Sequence, residues 1–190
     1  MTKEEVRSTV GNVEYRSDEE SEDQFIEGYA LKFDTWSENL GGFKETIKKQ
    51  ALDKTDMEDV RALFNHNVDQ VLARTSAGTL DLEVDDIGLK FRAKIPNTSY
   101  GRDLAENLRN GNVNQCSFGF VVGENGDSFE FSKADNLYKR SLTKINRITD
   151  VSVVTYPAYK DTEVAPALRS ITKINRQREI EKMRLKLHLL

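Results

Sequence analysis

The chain has 190 residues and a formal net charge of −4, with 37% hydrophobic and 32% charged side chains, which suits one globular core and argues against nucleic acid as the main partner. No apolar run approaches the roughly 20 residues of a membrane-spanning helix, and the N-terminus lacks the apolar core of a signal peptide. Because Cys116 is the one cysteine, no internal disulfide can form, and we expect a cytosolic protein with no membrane contact.

Charge divides the chain into three parts. Residues 1–24 contain the acidic run "SDEESED", which is too hydrophilic to pack and predicts an acidic, partly flexible N-terminal segment. The last 23 residues invert the balance, with seven basic side chains against two acidic ones. Two prolines near residue 160 bracket a stretch that is typical of a linker. We therefore predict a folded domain at residues 25–160, followed by a linker and a basic amphipathic helix at residues 161–190.

Between residues 25 and 160, the dominant pattern is an alternation of apolar and polar residues. In chain order, the first prediction is a strand pair or a bent strand at "DQFIEGYALKF", followed by a turn of helix in "GGFKETIKKQAL". A strand is predicted at "DVRALFNH", and a hairpin that turns at "DDIG" is predicted at residues 80–95. "SYGRDLAENLRNG" predicts a helix with Ser99 as N-cap and Gly111 as its stop. "QCSFGFVV" and "RITDVSVVTY" are typical of strands. Many short strands with few helices favour a β-rich α+β fold, built as an antiparallel barrel or sandwich.

The stretch "NQCSFGF" places a serine opposite an aromatic face. On a strand, Cys116, Phe118 and Phe120 point to one side, while Ser117 and Gly119 point to the other. Since the aromatic face is the natural core face, Ser117 stands on the opposite side, where Gly119 adds no bulk and leaves a small open space for a substrate carbonyl. From this stretch alone, a serine that merely faces solvent is the simpler interpretation.

A nucleophilic serine needs a base, and the chain has two histidines, His66 and His188. His188 lies in the basic tail, which cannot hold an imidazole in register, so His66 in "LFNHNVD" is the candidate base. A third group usually orients the imidazole. Asp150 interrupts the otherwise apolar strand "ITDVSVV", where a carboxylate is costly unless it has a partner. An edge-strand aspartate that reaches water is the alternative interpretation.

Other chemistries fit the sequence less well. Zinc sites need two or three histidines or cysteines, and the chain offers only His66, His188 and Cys116, so we expect no metal and no cofactor. A nucleophilic Cys116 would point toward the aromatic face. A serine esterase is disfavoured because the G-x-S-x-G elbow is absent.

Four segments carry motifs whose order and spacing extend over residues 25–160. They are "IEGYALKFDTW" with "GGFKETIKKQAL", "VRALFNHNVDQVLARTSAGTLDLEVDDIGLKFRAKI", "NTSYGRDLAENLRNGNVNQCSFGF" and "ITDVSVVTYPAY". Together they resemble the prohead proteases of tailed bacteriophages, capsid-maturation serine proteases distantly related to herpesvirus assemblins. The resemblance places the family's catalytic histidine at His66, its nucleophile at Ser117 and its acidic member at Asp150. Asn67 stands where the family usually has aspartate, and Asp150 where it often has glutamate.

The resemblance implies a serine endopeptidase of phage head maturation, with its protease domain at residues 25–160. It also implies a small, mainly antiparallel β-barrel flanked by a few helices, similar to herpesvirus proteases. The expected substrates are the scaffolding protein and the N-terminal segment of the major capsid protein, cut inside the immature prohead in the host cytoplasm. Cleavage of the chain itself near "TEVAPALRS" and a homo-oligomer are both compatible with the sequence. The alternative is a non-catalytic, barrel-shaped scaffold or capsid-assembly module.

The basic C-terminal segment predicts a docking helix. From about residue 167 its apolar residues recur at spacings of three or four, and basic residues fill the remaining faces. This pattern suits an amphipathic helix that is separate from the enzyme and docks on an acidic or coiled-coil partner, such as scaffold. A helix packed on its own domain is the alternative. A chain ending at Pro166 is therefore expected to keep its peptidase activity.

Overall fold

The structure is a computed structural model that describes residues 4–17, 23–156 and 161–188. In that part of the chain there are twelve β-strands and two α-helices, with short 3-10 turns at Lys49–Leu52 and Thr75–Ala77. In chain order they are β1 (Glu4–Asn12), β2 (Glu14–Ser17), β3 (Gln24–Lys32), β4 (Phe43–Ile47), β5 (Arg61–Phe64), β6 (Asn67–Arg74), β7 (Leu80–Val84), β8 (Gly88–Lys94), α1 (Ser99–Arg109), β9 (Gln115–Val122), β10 (Asp127–Ser132), β11 (Leu137–Leu142), β12 (Ile145–Val154) and α2 (Asp161–His188).

The strands form three sheets. The largest has the order β1-β9-β12-β5-β6, and the others have the orders β10-β11-β4 and β2-β3-β8-β7. Pairing is antiparallel except between β12 and β5 and between β11 and β4. The predicted β-rich, mainly antiparallel class is therefore confirmed. Among the described residues none of the three sheets closes on itself, so the closed barrel and the herpesvirus-protease-like arrangement stay predictions.

Period-two alternation builds the core as the sequence predicts. In β8, Leu89, Phe91 and Ala93 are buried while Lys90 and Arg92 point outward, and β7 pairs with β8 as the predicted hairpin. The aromatic face of β9 enters the same core. Because burying a large apolar side chain contributes about 1.5–3 kcal/mol, this shared face fixes which side of each strand points away from the core.

Helix α1 forms where its sequence predicts, but its N-cap is one residue earlier than predicted. The Thr98 hydroxyl, not that of Ser99, accepts a hydrogen bond from the Gly101 amide at 3.2 Å. Leu104 and Leu108 are buried on one face, and the chain leaves the helix through Gly111, whose φ of 71° is the left-handed conformation that stops helices. The predicted helical turn in "GGFKETIKKQAL" is instead strand β4 followed by a 3-10 turn.

The N-terminal strands differ from what composition predicts. Residues 4–17 form β1 and β2, and β1 pairs with β9 from Gln115 to Val121. Two charged side chains of β1 are buried together with opposite charges from other strands. Glu5 lies 2.6 Å from Arg140, Arg7 lies 2.6 Å from Glu45, and all four residues are buried. Opposite charges that are far apart in sequence neutralise one another in the fold. The run "SDEESED" lies largely outside the described residues.

Helix α2 confirms the predicted C-terminal helix, but its first half belongs to the folded body. Ala167 and Ile171 are buried against a cluster formed by Leu40, Phe43 and Tyr138. For the first half of α2 this packing favours the alternative, a helix packed on its own domain, because ending the chain at Pro166 would expose the cluster. Across the described ranges, no helix is long and apolar enough to cross a membrane.

Candidate active site

His66 is placed by the tight turn between β5 and β6. Phe64 pairs with Asn67, and the two residues between them, Asn65 and His66, have φ values of 53° and 55°. Such a left-handed pair is what a two-residue hairpin turn requires, and asparagine and histidine adopt this conformation more readily than most residues other than glycine. Asn65 is fixed to the neighbouring chain, since its side-chain oxygen accepts a hydrogen bond from the Thr155 amide at 2.9 Å. The turn thus holds the imidazole at the end of the sheet.

The structure brings the three sequence-predicted site residues together. β12 lies between β9 and β5 in the five-stranded sheet, so Asp150, Ser117 and the β5–β6 turn are on neighbouring elements. His66 Nδ1 lies 2.6 Å from Asp150 Oδ1, and His66 Nε2 lies 2.7 Å from Ser117 Oγ. One ring nitrogen thus faces the carboxylate and the other faces the serine hydroxyl. The aspartate side chain reaches the ring although it is one methylene shorter than the glutamate common in the resembling family.

The open space predicted beside Ser117 is absent. Ser117 is fully buried, and a Cβ built on Gly119 would lie 2.4 Å from Asp150 Oδ2. The room that Gly119 leaves is thus filled by the Asp150 carboxylate and the Thr149 hydroxyl and not by solvent. Glycine is required there because any side chain would push this carboxylate away from His66.

Ser117 Oγ has a second acceptor besides His66. It lies 3.0 Å from the carbonyl oxygen of Arg7 on β1, the strand that pairs with β9 at Ser8 and Ser117. A serine hydroxyl has one proton, which it can donate to the imidazole or to this carbonyl but not fully to both. The N-terminal strand therefore takes part in setting the state of the hydroxyl.

Ser152 is a further member of the site that the sequence reasoning missed. Its hydroxyl is buried, donates to Asp150 Oδ1 at 2.6 Å and lies 3.2 Å from His66 Nδ1. A signal for it was present, since residues two apart on a strand share a face and Ser152 follows Asp150 by two. The apolar residues around Ser152 mask this signal, because a lone serine in a buried strand is common.

The remaining candidates from the sequence lie elsewhere. His188 ends α2, and its side chain is outside the described residues. Among the side chains that the structure describes, no group of three or more histidine, cysteine, aspartate or glutamate residues is arranged to hold a metal ion. Cys116 is buried on the core side of β9, where burial raises the pKa of its thiol to about 12.

This thiol is expected to be inert in the native protein. At neutral pH Cys116 stays protonated and shielded, so iodoacetamide should neither alkylate it nor reduce peptidase activity, and Cys116→Ala should keep most of the activity. Mass spectrometry of the treated native protein, followed by an activity assay, measures both quantities. Activity that falls in step with alkylation of Cys116 would contradict the expectation.

Comparison with known proteins decides the class of the molecule. The sequence matches the model of the caudovirus prohead serine protease family over residues 11–177. The chain belongs to this family. Its fold is similar to the solved structure of the bacteriophage T4 capsid assembly protease, with a TM-score of 0.50 and 15% identity, covering 80% of this chain and 97% of that chain. Among curated proteins, none matches the sequence significantly.

Membership in the prohead protease family makes the protein a serine protease of phage capsid maturation. The resemblance drawn from the four sequence segments is confirmed. The family also decides against the non-catalytic assembly module that the sequence left as an alternative.

Proposed function

We propose that Ser117, His66 and Asp150 are the nucleophile, the general base and the orienting acid of this prohead protease. The observation that supports the proposal is the unbroken line of contacts from Asp150 Oδ1 through both nitrogens of His66 to Ser117 Oγ, at 2.6 Å and 2.7 Å. An imidazole between a carboxylate and a hydroxyl is the arrangement that activates a serine.

The proposed chemistry follows from this arrangement. Asp150 accepts the Nδ1 proton of His66, which leaves the Nε2 lone pair directed at Ser117. Ser117 Oγ attacks the scissile carbonyl carbon while His66 Nε2 takes the hydroxyl proton. His66 then gives that proton to the leaving amine, and the peptide C–N bond breaks to leave an acyl-enzyme. Water, deprotonated by the same nitrogen, hydrolyses the ester and restores Ser117.

The resting position of Ser117 adds one step to this scheme. Because the residue is fully buried and its Oγ is also 3.0 Å from the Arg7 carbonyl, a substrate carbonyl reaches Oγ only after a local shift of this side chain or of β1. We infer that binding of an extended substrate moves the hydroxyl from Arg7 toward His66, which couples substrate binding to activation of the nucleophile.

Ser152 is proposed as a positioning residue for Asp150 and His66. Ser152→Ala should lower kcat about ten-fold with little change in KM, because one buried hydrogen bond to the carboxylate is lost while the substrate contacts remain. Ser152→Thr, which keeps the hydroxyl, should recover part of the loss. Steady-state kinetics on a peptide substrate distinguishes the outcomes. An unchanged kcat, or a change confined to KM, would rule out the positioning role.

We propose that the substrates are the scaffolding protein and the N-terminal segment of the major capsid protein, cut inside the immature prohead in the host cytoplasm. Support comes from the family description and from the capsid assembly protease of T4, whose fold is similar. Cleavage of the chain itself near "TEVAPALRS" belongs to the same proposal. That stretch lies in α2, so this bond becomes accessible only if the first turns of the helix unwind.

Co-expression with the capsid and scaffolding proteins of the same phage tests the substrates. With the wild-type protease, mass spectrometry of purified particles should find new termini in both proteins and near the start of α2. Ser117→Ala should give particles of uncut proteins, while Ser128→Ala, at an exposed serine on β10, should cut normally. Uncut capsid and scaffolding proteins in the presence of a protease that still cleaves peptides would overturn the substrate assignment alone.

A further inference from the structure

Helix α2 has two halves with different surroundings. In the near half, residues 161–175, Ala167 and Ile171 are buried against Tyr138 and its neighbours, and Ile174 packs beside them. Further along the helix, Arg178 Nη1 donates to the Tyr138 hydroxyl at 3.4 Å. The described residues of the far half, 176–186, are all exposed. The helix thus runs past the body by roughly two turns or more.

The apolar residues of the far half lie on a different side of the helix. Ile180 follows Ile171 by about two and a half turns, which places it on the opposite side, and Met183 lies about a third of a turn away from the body-facing side. They are 42% and 60% exposed. The sequence continues this spacing of three and four with Leu187 and Leu190. The apolar stripe that begins with Ile180 and Met183 is therefore not a continuation of the helix face that packs on the body.

The charge and spacing of this stripe indicate which kind of partner binds it. Residues 176–186 contain five basic side chains and two acidic ones, which repel a second copy of the same helix and attract an acidic partner. A spacing of three and four residues gives the narrow seam of a helix pair, whereas a helix that lies on a membrane needs a broader apolar face.

We propose that Ile180 and Met183, with their basic flanks, form a docking seam for an acidic amphipathic helix of a protein that assembles with the protease in the prohead. The setting in the prohead rests on the proposed function, but the seam itself depends on none of the proposed catalytic residues. Docking there leaves the near half of α2 packed on the body.

The test is a binding measurement with the full chain and a defined probe. The probe is a synthetic helical peptide of four heptads with leucine at a and d and glutamate at e and g, followed by fluorescence anisotropy. Ile180→Ser and Met183→Ser should each weaken binding about ten-fold. Leu185→Ser is the matched control, because Leu185 is 66% exposed on the body-facing side of the same helix, and it should change binding less than about two-fold. A probe with lysine at e and g should not bind.

Hydrolysis of a short peptide by the same variants separates the seam from catalysis and should be unchanged. The proposal is overturned if the acidic probe does not bind, or if Leu185→Ser weakens binding as much as Met183→Ser. Sedimentation that shows self-association lost in Met183→Ser would assign the seam to a second copy instead. Binding to phosphatidylserine vesicles in place of the probe would assign it to a membrane, and either result excludes the acidic helix.

Discussion

Replacing Ser117 by alanine should lower kcat on a peptide substrate by about four to six orders of magnitude, and His66→Ala should lower it by a similar factor. Each variant removes one partner of the 2.7 Å contact between His66 Nε2 and Ser117 Oγ, so neither attack nor proton transfer can occur. The fold should survive both changes. Alanine fits the β9 strand at position 117, and His66 lies on a half-buried turn.

The double variant gives the sharper test. Because nucleophile and base act as one unit, Ser117→Ala combined with His66→Ala should be no slower than either single variant. His188→Ala is the matched control among histidines and should retain full activity. Circular dichroism and urea denaturation verify that the variants are folded. Proteolysis by folded Ser117→Ala, or effects that multiply in the double variant, would contradict the proposed roles.

Much of the candidate site could be predicted from local sequence. The chain has only one internal histidine, and strand alternation puts Ser117 on the side of β9 away from the aromatic residues. The cost of a carboxylate in an apolar strand pointed to Asp150. The contact from Ser117 to the Arg7 carbonyl could not be foreseen, because it joins residues 110 positions apart through sheet pairing. Pairing between distant strands leaves no local signal.

The fold shows the same division between local and distant information. Alternation and capping residues located the hairpin of β7 and β8 and helix α1, since these depend on neighbours in sequence. The order of strands in the sheets, and the parallel pairing of β12 with β5, depends on long-range packing. Composition assigned the charged N-terminus to solvent, because charged side chains are rarely buried without partners. Here the partners exist, and they lie in β4 and β11.

Arg140 is the centre of that buried charge cluster. Its guanidinium lies 2.6 Å and 2.9 Å from the two carboxylate oxygens of Glu5, 3.1 Å from Glu45 and 2.7 Å from Asp127. Arg140→Met should lower the free energy of unfolding by about 3–5 kcal/mol, because it leaves buried carboxylates with too little positive charge. Urea denaturation measures the loss. The free energy of unfolding of Arg140→Lys should lie between those of the wild type and Arg140→Met. The lysine ammonium keeps the positive charge but cannot form the paired contacts of a guanidinium.

The same cluster makes stability depend on pH in a defined direction. Burial by itself would raise the pKa of Glu5, but the hydrogen bond and charge of Arg140 and the charge of Arg7 outweigh it, so the pKa is lowered from its ordinary value of 4.5. A depressed folded-state pKa stabilises the fold above pH 4.5, and this contribution is lost as the pH falls through the lower, folded-state value.

Wild-type stability should therefore decline on acidification below pH 4.5, and Arg140→Met should show a shallower decline because Glu5 has already lost its main partner. The cluster ties β1 to β4, β10 and β11, so the variant should loosen β1 and thereby weaken the contact between the Arg7 carbonyl and Ser117. Hydrogen exchange at β1 should then become faster at neutral pH than in the wild type. Equal unfolding free energies for the two proteins at pH 7 would show that the buried charges do not secure the N-terminal strand.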